Sequence, residues 1–147
     1  MAFEFKVVRR VEFGETDMAG IMHFSNYFRF METAEHGFFR SLGFCIVMHD
    51  FDPPIGWPRV HAECDFRLPL RFEDEVEIHL LVAEKKSKSL SYQIRFRRLN
   101  GAVPTEVARG IVTTVCVRLG PNSEMKAIPI PKVVWDRIQV APRELLG

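Results

Sequence analysis

A chain of 147 residues is long enough for one domain with a sizeable core and short for two, so residues 1–147 are read as a single domain. Hydrophobic residues at 47% and charged residues at 27% exclude a disordered chain, and a formal net charge of +1 supplies no overall drive toward nucleic acid or an anionic membrane. No apolar run approaches the roughly 20 residues that span a bilayer.

In chain order, "MAFEFKVVRR" places its basic residues after its apolar ones, so no signal peptide is expected. Residues 3–13 are rich in Phe and Val and alternate loosely, which predicts a first strand. An acidic loop with Gly20 follows. From 24 to 42 the apolar positions Phe24, Tyr27, Phe28, Met31, Ala34, Phe38 and Leu42 recur at three and four, the period of a helix with a wide buried stripe. Arg29, Thr33, His36 and Arg40 fall on its other face, and Gly43 is a natural stop. "HDFDPPIGWP", with three prolines, reads as loop.

Strands are predicted over 59–67, 75–84 and 89–98, then a hairpin at Asn100-Gly101. A long strand over 105–119 follows, with a turn at "GPNSE" and a weak helical segment, "KVVWDRIQV", near the C-terminus. One long helix with about five strands, mostly meandering, implies an α+β fold in which an antiparallel sheet packs around the helix. Cys45, Cys64 and Cys116 are odd in number, far apart and without a Cys-x-x-Cys pair, which points to reduced thiols in the cytoplasm and away from zinc. No His/Cys/Glu cluster has metal spacing, and there is no phosphate loop or dinucleotide fingerprint.

The stretch "EFGETDMAGIMHFSNYFRFMETAEHGFF" carries the chemistry. The first turn of a helix has unpaired N–H groups and a partial positive charge, so it can receive an anion. Gly20 lets the loop approach a ligand closely. Taken alone, Asp17 is a loop acid and Gly20 a turn glycine. The run of Asp17, Gly20 and Asn26 into an apolar helix is either ordinary turn-and-cap chemistry or a helix start aimed at a ligand.

The order of strand, acidic loop with glycine, central helix and four antiparallel strands resembles the hotdog fold. The words "VEFGETDMAGIMHFSNYFRFME" resemble the signature of the 4-hydroxybenzoyl-CoA thioesterase-like acyl-CoA thioesterases, with Asp17, Gly20, Ile21, Asn26 and Tyr27 at the matching positions. The layout match extends to about residue 130. The chain departs from the pattern at His23-Phe24, where relatives often carry Tyr-His or Trp-Tyr.

The resemblance implies hydrolysis of an aryl- or fatty-acyl-CoA thioester. Asp17 would serve as nucleophile or general base, and the Phe24 backbone N–H would point at the thioester oxygen. A fixed N–H at such an oxyanion is worth roughly 2.7–4 kcal/mol of barrier. His23 is a candidate acid/base partner or a structural residue of the helix start. Tyr27 is a candidate for substrate contact, as are Glu32, with Glu35, at the substrate's far end and Trp57 and His61 beside the pocket.

Lys85, Lys86 and Lys88, with Ser89, are either a solubilising hairpin tip or, as the resemblance implies, a site for the phosphates of coenzyme A. Coenzyme A enters only as part of the substrate, and no metal or other cofactor is expected. The family assembles as homodimers or homotetramers, and carrier-protein thioesters stay open as substrates. Two alternatives remain: a hotdog dehydratase of 3-hydroxyacyl thioesters using His23 with Asp17, and a non-catalytic module that binds acyl-CoA or acyl carrier protein.

Overall fold

The computed structural model describes residues 1–147. Strand β1 (Glu4–Arg10) leads through a 3-10 turn (Phe13–Glu15) into helix α1 (Ser25–Ser41). The strands that follow are β2 (Ile55–Gly56), β3 (Arg59–Phe66), β4 (Glu75–Lys85), β5 (Ser89–Arg98) and β6 (Thr105–Val115). The chain ends with β7 (Val117–Leu119), β8 (Met125–Ala127) and a single helical turn, α2 (Lys132–Trp135). No helix is long and apolar enough to cross a membrane.

The expected five-stranded antiparallel sheet is present, in the order β1-β4-β5-β6-β3, and α1 packs against β1, β4 and β3. The periodic positions that predict α1 explain why: Tyr27, Met31, Ala34 and Phe38 are buried, whereas Arg29, Glu32 and Arg40 face solvent. Against them, Ile78 and Leu80 of β4 and Leu90, Tyr92, Ile94 and Phe96 of β5 alternate inward. Gly110 of β6 permits the close approach of the helix, because a Cβ there would fall on the Met31 methyl and 2.9 Å from the Glu63 carbonyl oxygen.

Several boundaries differ from the sequence reading. The first strand ends at Arg10, and Phe13–Glu15 coils instead, closed by a capping box in which the Glu12 N–H donates to the Glu15 carboxylate at 2.8 Å. Only β4, β5 and β6 meander. β3 precedes β4 in the chain but pairs beyond β6, which makes β1 and β3 the edges. The predicted long strand over 105–119 breaks at Cys116, where the chain passes into a second sheet of order β2-β7-β8.

Asn100-Gly101 does not form a two-residue hairpin, because Arg98 pairs with Thr105 across the loop 99–104. The Asn100 side chain instead accepts from the Glu75 N–H at 2.7 Å and donates to Asp74 at 2.8 Å. The predicted C-terminal helix is reduced to α2.

Candidate active site

The loop between β1 and α1 is a small closed hairpin. Thr16 bridges to Met22, the Asp17 N–H donates to the Ile21 carbonyl at 2.9 Å, and the Gly20 N–H donates to the Asp17 carbonyl at 2.9 Å. This reversal places Gly20 at φ +80°, a left-handed conformation that other residues adopt only with strain. Asp17 Oδ1 accepts from the Ala19 N–H at 2.8 Å, so one carboxylate oxygen holds the turn. Its Oδ2 has no partner within the chain.

The start of α1 is tied to this loop through one atom. The Glu15 carbonyl accepts both the His23 N–H at 2.9 Å and the Asn26 side-chain amide at 2.8 Å. The Phe24 N–H, between them, donates to no acceptor in the chain. The His23 ring serves the helix start: its Nδ1 lies 2.8 Å from Ser25 Oγ and accepts from the Ser25 N–H at 3.3 Å. The imidazole thereby caps a helix whose N-cap residue, Phe24, makes no side-chain cap.

A cleft of about 470 Å³ opens here, with Asp17, Phe24 and Tyr27 on one side and Phe66, Leu68 and Pro69 on the other. Tyr27 is packed edge-on against Phe66 and Phe96, with ring centroids 4.9 and 5.3 Å away. Burial pushes its hydroxyl up to about 12, so it stays neutral. Arg67 at the rim is paired with Glu106. The wall from Phe66 to Pro69 was missed by sequence reasoning. Its signal was faint: apolar residues beside a proline at the end of a strand. A second cleft, of about 600 Å³, shares Asp17 and lies among Phe13, Met18 and Phe72.

The remaining expected residues lie elsewhere. Trp57 is buried in the core against Phe39, with centroids 5.3 Å apart, and does not border the cleft. His61 points to solvent from β3, where it meets Glu63 at 2.8 Å. Glu32 is half-exposed and faces Arg59 at 3.8 Å. The same Arg59 is hydrogen-bonded to Glu35, which is 2% exposed. Burial raises the Glu35 carboxyl to about 7, against the opposing pull of Arg59. Glu35 Oε2, the Tyr92 hydroxyl and the Trp57 N–H have no partner.

The lysine cluster divides. Lys85 donates to the carbonyls of Trp135 and Ile138 at 2.9 and 2.8 Å and stacks 3.9 Å over the Trp135 ring, so it anchors the C-terminal segment. Lys86 and Lys88 are exposed at the hairpin, where Lys86 and Ser89 exchange backbone hydrogen bonds. This hairpin sits at the far end of β4 from Glu75, whose partner Arg10 leads into the Asp17 loop. A strand of that length spans about 35 Å.

Comparison with known proteins bears on the site. Residues 11–138 match the thioesterase-like superfamily. A protein of Aquifex aeolicus (strain VF5) is 43% identical over 77 residues, a match spanning 52% of this chain and 59% of that protein. A 1,4-dihydroxy-2-naphthoyl-CoA hydrolase of Gloeothece citriformis (strain PCC 7424) is 29% identical over 94% of this chain and 96% of its own length. Among solved structures, a gentisyl-coenzyme A thioesterase superposes with a TM-score of 0.75 at 34% identity, covering 88% of this chain and 98% of that one.

Proposed function

This chain belongs to the thioesterase-like superfamily, has its hotdog fold and is a thioester hydrolase, and from that premise we propose that it cleaves an acyl-CoA to free acid and coenzyme A at Asp17. One observation carries the reading: Asp17, whose Oδ2 is free, and Phe24, whose N–H is unpartnered, line the same cleft. The thioester carbonyl sits between them. Asp17 either attacks its carbon directly or takes a proton from an attacking water. The oxygen then carries negative charge, which the Phe24 N–H and the positive end of α1 stabilise. Collapse expels the coenzyme A thiolate; after direct attack it leaves an acyl anhydride on Asp17 that water then hydrolyses, and by either route one water is consumed for each acid and thiol formed.

The aromatic walls of Phe24, Tyr27 and Phe66 favour an aryl acyl group in the first cleft. This agrees with the aromatic acids named for the two thioester-cleaving relatives. Lys86 and Lys88 reach the phosphates of such a substrate only from a second copy of the chain, since their own Asp17 is at the opposite end of the sheet. The exposed, unpaired edge of β3 offers the pairing that would bring that copy in. The test is a thiol-release screen with benzoyl-, hydroxybenzoyl-, short-, medium- and long-chain acyl-CoAs. Release from an aryl-CoA supports the proposal, and no release across the panel removes it.

A further inference from the structure

We propose that Arg9 is a positioning residue for hydrolysis, acting through Glu15 on the spacing between Asp17 and the Phe24 N–H. This rests on the thioesterase reading and adds to it a brace from the first strand. Arg9 lies on β1 and lines neither cleft that contains Asp17. Its guanidinium meets two other elements at once. Nη2 donates to Glu15 Oε2 in the loop at 3.4 Å, and Nη1 donates to Thr33 Oγ1 of α1 at 3.4 Å. The guanidinium carbon also sits 4.6 Å over the Phe30 ring of the same helix. Each polar contact is long and weak by itself. Together they bolt the loop to the helix across β1, which needs the planar fork of arginine rather than a single ammonium.

Glu15 is the residue being held, and its remaining atoms say what the brace controls. Its Oε1 accepts the Glu12 N–H at 2.8 Å, and its carbonyl accepts the His23 N–H and the Asn26 amide. Above the Glu15–His23 hydrogen bond the loop closes through the Thr16–Met22 bridge and the Asp17–Ile21 hydrogen bond. Glu15 and His23 are therefore the base of the hairpin that carries Asp17, and the Phe24 N–H is the next amide beyond that base. A tilt of Glu15 moves the carboxylate against the oxyanion donor, whereas a fixed Glu15 holds them in register. The Glu15 side chain is 18% exposed and that of Arg9 33%, so the pair is less screened by solvent than an open surface pair.

Two variants and their combination test this. Arg9→Met keeps an apolar stem beside Phe30 and removes the cation, and Glu15→Gln keeps an acceptor for the Glu12 N–H and removes the charge. With an acyl-CoA that the parent cleaves, each should lower kcat about 5-fold and leave KM within about 2-fold. The double variant should be no slower than the slower single one, because both changes remove the same contact. By NMR, the His23 amide should exchange its hydrogen about 10-fold faster in each single variant, with the amides of β4 and β5 at parental rates. Parental kcat in both variants, losses that multiply in the double variant, a rise in KM alone, or faster exchange throughout the sheet overturns the assignment. Lack of thiol release by the parent removes the hydrolase reading, whereas unchanged His23 exchange in the variants removes the role of Arg9, so the two failures are told apart.

Discussion

Asn26, the second residue of α1, donates its side-chain amide to the Glu15 backbone carbonyl at 2.8 Å and is itself 7% exposed. This strut joins the loop that carries Asp17 to the helix start that carries the Phe24 N–H. Breaking it takes one of two partners from a half-buried carbonyl that keeps the His23 N–H, a cost of about 0.5–1.5 kcal/mol. Asn26→Ala should therefore lower the melting temperature by several degrees. It should also lower kcat about 10-fold with a smaller change in KM, because the carboxylate and the oxyanion donor lose their fixed separation. Parental kcat in a destabilised variant would show that the strut serves stability alone.

Asp17→Asn should abolish turnover and spare the fold. The amide oxygen can still accept the Ala19 N–H that Oδ1 receives, so the turn survives. An amide is neither a base nor a nucleophile near neutral pH, and hydrolysis should fall by at least about 100-fold. Affinity for a non-cleavable acyl-CoA analogue should persist. Stopped-flow thiol release and a melting curve on one preparation decide the matter, and near-parental kcat would take Asp17 out of the mechanism.

Glu35 gives the protein a pH dependence of stability. Its carboxyl titrates at about 7 in the folded chain against 4.5 as reference, chiefly because burial penalises the charged form. Between those values the folded state holds a proton that the unfolded chain releases. The contribution is thus complete below the lower value and is lost as pH rises through about 7, with an upper size of about 3 kcal/mol. Glu35→Gln, which is neutral throughout, should gain stability relative to the parent between pH 5 and pH 8. Denaturant titrations at both values measure this, and parallel pH curves for the two proteins would contradict it.

The three lysines should separate in function. Lys85→Ala removes two hydrogen bonds to backbone carbonyls and a cation–π contact, so it should lower the melting temperature by several degrees. Lys86→Ala/Lys88→Ala should leave stability within about 0.5 kcal/mol. It should raise KM for acyl-CoA with little change in kcat, an effect that shrinks as salt is added. An unchanged KM would leave this hairpin without a role in binding.

Assembly follows from the edge of β3. Its residues are exposed along nearly the whole strand, and its outer backbone groups have no neighbour. Sedimentation velocity at micromolar concentration should show a dimer or a tetramer. A monomer throughout would leave Lys86 and Lys88 with no route to the cleft.

Much of the fold was legible because it depends on local periodicity. The three-and-four recurrence from Tyr27 to Phe38 predicts a buried helical face, and Gly43 marks its end. Alternation places β5 at residues 89–98, as observed. Asp17, Gly20 and Asn26 could be singled out because their interactions reach only a few residues along the chain: an Asx turn, a left-handed glycine and a strut of eleven residues.

What stayed hidden depends on which segments meet in space. Nothing in the alternation of β3 says that it passes β4 and pairs with β6, because a period of two specifies faces and not neighbours. That pairing brings Phe66 and Leu68 to Tyr27 as a cleft wall and leaves Trp57 packed on Phe39. Lys85 looks like its neighbours in sequence, yet a C-terminal segment fifty residues on supplies two carbonyls that remove it from solution. Local dihedral and side-chain preferences could be read from the sequence. The partners of Glu35, Lys85 and Trp57 were decided by long-range packing, where each burial depends on all the others.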